Sequence, residues 1–379
     1  MMAGQTQALE LRSLVTSAGE LRLSLEDVAV PEPGADEVVV RVEASPINPS
    51  DLGLLLGPAD LATAQAGGTA ERPTLTAQIP PQRMGMMKAR LDQSLPVGNE
   101  GAGTVIAAGS NAQALLGKRV GMLGGAMYAT HRKLPTRDCI VLPDGASAAD
   151  GASMFVNPLT ALAMPEVMRA EGHTALIHTA AASNLGQMLN RICLADGVPL
   201  VNIVRSPEQA RLLRDAGATF VVDSTAEGFR EALTDACQQT GATIAFDAIG
   251  GGKLANSILH AMEAAANRSA TSYSRYGSSQ FKQVYIYGGL DVGPTILDRG
   301  FGFSWNVSGF LLTPFLMKAG AAKAQAMKDR VAAELKTTFA SHYTHTIGLA
   351  EALQPDVVEQ YQRKATGQKY LIDPSRSLA

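Results

Sequence analysis

From residue 174 onward short apolar runs alternate with amphipathic ones. That alternation constrains the fold more than any other feature of the chain. Residues 174–179, 200–205, 220–223, 243–249 and 284–288 read as buried strands, and 185–195, 208–216, 229–237 and 254–265 as helices between them. Strands that are apolar throughout have no solvent face, and parallel neighbours need a helical crossover. The pattern therefore predicts an α/β fold, with a doubly wound parallel sheet covered on both faces. It sets in at about Pro158.

The part before Pro158 reads differently. EVVVRVE at 37–43 and the runs at 101–107 and 119–123 are short, β-prone and bounded by turn residues, so this third is expected to be β-rich. Residues 57–93, rich in Ala, Gly, Thr and Pro, read as a long loop with one helix near 84–91. No internal repeat is evident. A chain of 379 residues has room for two domains.

Composition excludes several classes of function. With 46% hydrophobic and 18% charged residues the chain should pack rather than stay disordered. A formal net charge of -3 gives no electrostatic footprint for nucleic acid or a membrane surface. No apolar run approaches the roughly 20 residues of a membrane helix. Residues 1–12 lack the basic flank and apolar block of a secretory leader. The 3 cysteines, Cys139, Cys193 and Cys237, are widely spaced and odd in number, which points to a reducing, cytoplasmic location.

The unit from 174 to 205 has the length of a dinucleotide-binding βαβ. Its turn reads Ala180-Ala181-Ala182-Ser183-Asn184-Leu185-Gly186. A pyrophosphate site needs small side chains, so that the backbone can approach, and a helix N-terminus whose free N–H groups face the anion. Ala180, Ala181, Ser183, Asn184, Leu185 and Gly186 are the candidate contacts, Gly186 permitting close helix–strand packing. The alternative is an ordinary strand–helix turn capped by Ser183 or Asn184. At the end of the second strand an NAD site places an acidic residue. Here Arg205 and Ser206 stand there instead. A guanidinium grips a 2′-phosphate that a carboxylate would repel, so the cofactor is expected to be NADPH. The alternative is a solvated surface arginine. Asp247 and Gly288, at the ends of two later strands, complete the candidate cofactor set, although Asp247 could serve only to orient the cleft.

Several strings in this order resemble the medium-chain dehydrogenase/reductase superfamily, in its quinone oxidoreductase and enoyl reductase branch. They are PEPGADEVVVRVEASPINPSDLG (31–53), VGNEGAGTVIAAGS (97–110), GKRVGML (117–123), NPLTALAM (157–164), HTAAASNLGQM (178–188) and RKATGQKYLIDP (363–374). The resemblance implies a GroES-like β-rich substrate domain formed by 1–157 and 319–379, a Rossmann domain at 158–318, and an active site in the cleft between them. It aligns Ala180, Ser183 and Gly186 with the family's A-x-x-G-x-x-G turn, Ser183 replacing a glycine. It aligns Asn48 with the family's zinc-free N-P-x-D motif and Tyr128, in GGAMYATH, with an aromatic of a G-x-Y-A-E-Y segment.

Asn48 and Tyr128 are accordingly the candidate catalytic residues. Asn48 is expected to make a polar contact to the cofactor or to the acceptor carbonyl, donating a hydrogen bond to developing oxyanion charge, or else to cap the turn before Pro49 and Asp51. Tyr128 is a substitute proton donor or an aromatic wall. The family also pairs a strand like that at 301–312 across a two-fold axis, implying a homodimer; the alternative is an internal edge strand. Zinc-dependent relatives carry a Cys, a His-Glu pair and a four-Cys lobe, where this chain has Ser45 or Asn48, then Asn99-Glu100, and no cysteine cluster. No metal is therefore expected. The tyrosine that enoyl reductases place after N-P-S-D is also missing, the chain reading Gly57-Pro58-Ala59.

These readings converge on an NADPH-dependent, zinc-free reductase of quinones or activated alkenes. The alternatives are an enoyl-thioester reductase and a non-catalytic NADPH-binding protein of the same fold.

Overall fold

A computed structural model describes residues 6–377. Residues 1–5, part of the stretch read for a leader, lie outside them. The chain forms two compact units, Met1–Val156 with Arg330–Ala379, and Asn157–Asp329. Each is taken by itself.

The first unit opens on a long hairpin, β1 (Thr6–Val15) and β2 (Glu20–Val30). Leu21, Leu23 and Leu25 alternate with Arg22, Ser24 and Glu26, which puts the three leucines inside and the polar residues outside. Then come β3 (Glu37–Pro46), the single turn α1 (Leu52–Leu55), β4 (Asp60–Gly68) and β5 (Pro73–Gln78). The 57–93 stretch is therefore not a long loop. β4 and β5 form a second hairpin, with β5 antiparallel to β2, and the helix expected near 84–91 is a 3₁₀ helix at Pro81–Arg90. Leu75, opposite Leu23, and Ala77, opposite Leu21, are buried, and this apolar pair of β5 docks the hairpin. The unit continues with β6 (Ser94–Pro96), β7 (Glu100–Ala108), β8 (Arg119–Leu123), β9 (His131–Pro135), β10 (Cys139–Val141) and α2 (Ala148–Gly151). The strands expected at 37–43, 101–107 and 119–123 are β3, β7 and β8.

The second unit is built on α3 (Val156–Ala170), β11 (Leu176–His178), α4 (Asn184–Asp196), β12 (Leu200–Val204), α5 (Pro207–Asp215), β13 (Phe220–Asp223), α6 (Phe229–Thr240), β14 (Ile244–Asp247), β15 (Gly250–Gly252), α7 (Leu254–Arg268), β16 (Lys282–Ile286), β17 (Asp291–Thr295), β18 (Trp305–Gly309), α8 (Leu312–Ala319) and the start of α9 (Ala321–Ala333). Its main sheet runs β13-β12-β11-β14-β16-β18 and is parallel throughout. Ile177, Ile203, Val222, Ala245 and Val284 bury one face beneath Leu233 of α6 and Ile258 and Met262 of α7. The strand order reverses between β11 and β14, the point where open α/β sheets take their ligands. Residues 301–312 are not one strand: only Trp305–Gly309 pairs, as the sheet's edge beside β16.

After α9 the chain returns to the first unit through β19 (His345–Ile347), α10 (Pro355–Gln362) and β20 (Tyr370–Ile372). β20 pairs with the end of β3, Leu371 opposite Pro46 and Ile372 opposite Ser45. Parallel Rossmann sheet and antiparallel, GroES-like β-rich unit together make the expected fold class. Among the described residues no helix is long and apolar enough to cross a membrane.

Candidate active site

In the second unit the chemistry gathers at the carboxyl ends of β11, β14 and β16. Thr179 follows β11 and donates through Oγ1 to Asp247 Oδ1 at 2.7 Å, while accepting from the Ala248 N–H at 2.8 Å. Asp247 is fully buried and also accepts from the N–H groups of Ile249 (2.9 Å) and Gly250 (3.2 Å). Its carboxylate fixes the chain that leaves β14, across the switch point from the glycine turn. Gly288 lies against the same chain: a Cβ there would meet Ala248 O at 2.6 Å.

The turn itself combines a cradle and a cap. Ala180 holds a left-handed φ of 49° and Ala181 is anchored by its N–H to Ile203 O at 3.1 Å. Ser183 is the N-cap of α4, its Oγ accepting from Gly186 N at 3.1 Å. Asn184 and Leu185 form the first turn of that helix. A Cβ on Gly186 would stand 2.2 Å from Ala181 O, so only glycine lets the helix sit this close to the turn. The capping alternative is what the structure shows directly: Ser183 binds one N–H, and the 13-residue helix directs its amino end at the switch point.

Arg205 follows the last residue of β12 and is exposed. Its N–H donates to Gln209 Oε1 at 3.1 Å, and among the described residues its guanidinium holds no carboxylate. Ser206 caps α5 through an Oγ that accepts from Gln209 N at 3.3 Å, so its hydroxyl is committed to the helix. His178 was read as structural. It is fully buried, 2.7 Å from the Tyr287 hydroxyl with the two rings stacked, and burial pushes its pKa down to about 3.

The first unit has a polar cluster of its own. Asn48 is buried, and its Nδ2 donates to Glu100 Oε1 at 2.8 Å. The reverse amide orientation would set two acceptors against each other. Its Oδ1 is buried without a partner. Asn48 thus offers an acceptor, and one of its two amide N–H groups is engaged by Glu100. Nor does its side chain make the turn. That is done by Asp51, which accepts from the N–H groups of Asn48 (2.8 Å) and Asn99 (2.9 Å). Glu100 Oε2 accepts from the N–H groups of Phe155 and Val156, both at 2.9 Å. Burial raises the pKa of Glu100 in spite of these bonds, and that of Asp51 to about 7.

Tyr128 is completely enclosed and its hydroxyl donates to Pro46 O at 3.0 Å. Burial and the Asp51 carboxylate hold its pKa well above the ordinary phenol value. The hydroxyl expected as a substitute donor is therefore spent inside the protein, and the ring is core. A Cβ on Gly98, which has φ of 97°, would fall 2.5 Å from that ring.

Three residues of this cluster had not been singled out: Ser153, Tyr343 and Lys369. Lys369 Nζ donates to Ser153 Oγ at 2.7 Å, and Ser153 Oγ lies 2.8 Å from the Tyr343 hydroxyl. Lys369 belongs to the tail string quoted for the family resemblance, but nothing local marks it. The β20–β3 pairing brings the start of β20 to the residue before Asn48, Tyr370 O accepting from the Ile47 N–H at 3.0 Å.

A structural metal or catalytic zinc would need three or four N, S or O ligands. Among the described residues no group of three or more His, Cys, Asp or Glu could hold one. Ser45 Oγ donates to Met127 O, and the Asn48 amide donates to Glu100. Among the described residues this hydroxyl, amide and single carboxylate do not make a zinc donor set.

Residues 185–282 match the zinc-binding dehydrogenase family. The quinone oxidoreductase of Pseudomonas aeruginosa is 28% identical over 158 residues, 41% of this chain and 49% of that protein. The mitochondrial enoyl-[acyl-carrier-protein] reductase of Xenopus tropicalis is 28% identical over 212 residues, 53% of this chain and 51% of that protein. The chain thus spans about half the length of the curated relatives it matches. A crystal structure described as an NADPH:quinone reductase, from Mesorhizobium loti, superimposes with a TM-score of 0.73 at 26% identity, covering 99% of this chain and 100% of that one. The fold is that of this crystal structure, and the sequence likeness is to quinone oxidoreductases and enoyl reductases.

Proposed function

We propose that the protein is an NADPH-dependent oxidoreductase that reduces quinones or activated alkenes without zinc. The observation that carries this reading is the switch-point cradle: Gly186 closed against Ala181, α4 capped by Ser183, and, at the end of β12, the exposed Arg205, whose guanidinium holds no carboxylate among the described residues. Small side chains and a helix amino end suit a pyrophosphate, and a free guanidinium suits a 2′-phosphate. The names of the relatives support the reaction class.

NADPH supplies the hydride in such a reaction. The chain's residues do the rest. Asp247 and Thr179 hold the strand ends, Gly186 and Ala181 admit the phosphates, and Arg205 selects the phosphorylated ribose. The absence of a fitting zinc donor set favours acceptors that carry their own electron sink over simple alcohols. Enoyl thioesters are the second reading, favoured by the Xenopus tropicalis relative and opposed by Gly57-Pro58-Ala59 where that chemistry expects a tyrosine. A homodimer joined along the β18 edge and a cytoplasmic location, supported by an odd number of widely spaced cysteines, belong to the same proposal.

The test is steady-state NADPH oxidation against a panel of quinones, enones and enoyl thioesters. Turnover with quinones or enones above enoyl thioesters is expected. NADPH binding with no turnover on any acceptor would refute the enzymatic reading in favour of a non-catalytic binding protein.

A further inference from the structure

Two hydrogen-bonded ties cross the switch point of the second unit. One joins Thr179, just after β11, to Asp247 of β14. The other passes over β14: the Tyr287 hydroxyl, one residue beyond β16, lies 2.7 Å from Nε2 of His178, the last residue of β11. We propose that Tyr287 is a positioning residue, its hydroxyl locked onto His178 by one imidazole tautomer, and that it forms a fixed wall for the nicotinamide half of NADPH. This rests on the proposed NADPH site.

Strand order and close packing set its place. β14 stands between β11 and β16. The Tyr287 N–H donates to Asp247 O at 2.9 Å, which holds the residue at the carboxyl end of β14, and the side chain then returns across that end to β11. There its ring stacks on the imidazole, the two centres 5.8 Å apart. The next residue, Gly288, packs so closely on Ala248 that a Cβ would stand 2.6 Å from the Ala248 oxygen, and the Ala248 N–H is itself held by Thr179 Oγ1. Backbone, ring and hydroxyl of Tyr287 are therefore each fixed by a separate contact.

The half of the cofactor it meets follows from the rest of the cradle. Arg205, beside β12, would take the phosphorylated adenosine end, and the amino end of α4 the pyrophosphate. In the strand order β12-β11-β14-β16 the other half must then run away from β12, over the ends of β14 and β16, where Tyr287 stands. Tyr287 is half-buried, so it still presents surface at this edge. Burial and the Asp247 carboxylate hold its phenol above the ordinary range, so the hydroxyl keeps its proton and must place it on an acceptor.

The tautomer follows from a count of donors. Burial keeps His178 neutral, so its ring carries one N–H and one bare nitrogen. Among the described residues His178 Nε2 is the one acceptor for the Tyr287 proton. Were Nε2 to carry the ring hydrogen, the phenol proton would be orphaned and His178 Nδ1, which is buried without a partner, would be a bare acceptor. Asn202 pairs with His178 across the strands and turns its side chain to the same face of the sheet. Its orientation is dictated from behind: Asn190 Nδ2 donates to Ala216 O at 3.3 Å, so Asn190 Oδ1 accepts from Asn202 Nδ2 at 3.4 Å. That leaves Asn202 Oδ1 as a second buried acceptor without a partner. A hydrogen on Nδ1 lets Tyr287 donate to Nε2 and puts a donor, rather than another bare acceptor, on the residue paired with Asn202.

Two measurements test this. Nitrogen NMR of the histidines in the unmutated, cofactor-free protein should show His178, identified by its loss in His178→Gln, as a neutral ring with its hydrogen on Nδ1. Tyr287→Phe keeps the stacked ring and removes only the hydroxyl. With NADPH as the probe, its Kd should stay nearly unchanged, because the cradle and Arg205 carry the affinity, while the fluorescence lifetime of the bound reduced nicotinamide should shorten toward that of free NADPH. A His178 hydrogen on Nε2 overturns the proposal while NADPH binding stands. So does a Tyr287→Phe variant whose bound nicotinamide keeps the parental lifetime, because the hydroxyl would then fix the strands and not the cofactor. A parent that binds no NADPH removes the NADPH reading itself, and the positioning role falls with it whatever the tautomer.

Discussion

Cofactor preference follows from one exposed side chain. Arg205 stands at the end of β12 with its backbone tied to Gln209 and its guanidinium free of any carboxylate among the described residues. A hydrogen bond to a charged group contributes about 1.5–3 kcal/mol, which is roughly 10–150-fold in affinity. Arg205 is exposed, and solvent and salt weaken such contacts. The lower end, about tenfold, is the expectation at modest ionic strength. Fluorescence titration with NADPH and NADH, on the parent and on Arg205→Ala at two salt concentrations, measures it. The parent should prefer NADPH, the variant should lose about tenfold of that preference, and the loss should shrink at high salt. Equal affinities in the parent, or a variant that keeps the whole preference, would refute the role of Arg205.

Three further outcomes are expected. Gly186→Ala places a Cβ 2.2 Å from a backbone oxygen, so stability should fall by about 1–3 kcal/mol and NADPH affinity should weaken; an unchanged melting curve and Kd would contradict the close approach. Lys282→Met removes the cation from a buried pair in which Lys282 Nζ lies 2.6 Å from Glu263 Oε2, and should cost about 3–5 kcal/mol; parental thermal stability would show that the pair is dispensable. Metal analysis of the purified protein should find well under one zinc per chain and chelators should not affect turnover, whereas stoichiometric, chelator-sensitive zinc would overturn the zinc-free reading.

The parallel sheet was legible because its strands are apolar throughout and its helices amphipathic, so each element announced itself locally. The antiparallel unit was less so. The alternation in β2 is clear, but β5 is PTLTAQ, where Thr and Gln dilute the signal and only Leu75 and Ala77 bury. β4 is a largely exposed edge strand of small residues, and nothing in ATAQAGG distinguishes it from a loop. The same contrast holds at the sites. The turn from Ala180 to Gly186 is contiguous, and so could be read as a motif. The Asn48 cluster draws on Asp51, Glu100, Ser153, Tyr343 and Lys369, which lie in separate stretches of the chain and are brought together by strand pairing and side-chain hydrogen bonds. Its chemistry also depends on which hydrogen bonds are already spent. Asn48 could be found from its motif, but not that its donor would face Glu100.

The central claim is hydride transfer from a nicotinamide bound at the switch-point cradle. Single-turnover mixing of the protein with NADPH carrying deuterium at the transferring position, in the presence of the best acceptor, tests it most directly. The account predicts that the reduced-nicotinamide absorbance decays, that deuterium slows the decay, and that Gly186→Ala, refolded and monodisperse, loses the reaction through weaker NADPH binding. Decay insensitive to deuterium on either face of the nicotinamide, or no decay with saturating NADPH and every acceptor, would contradict it.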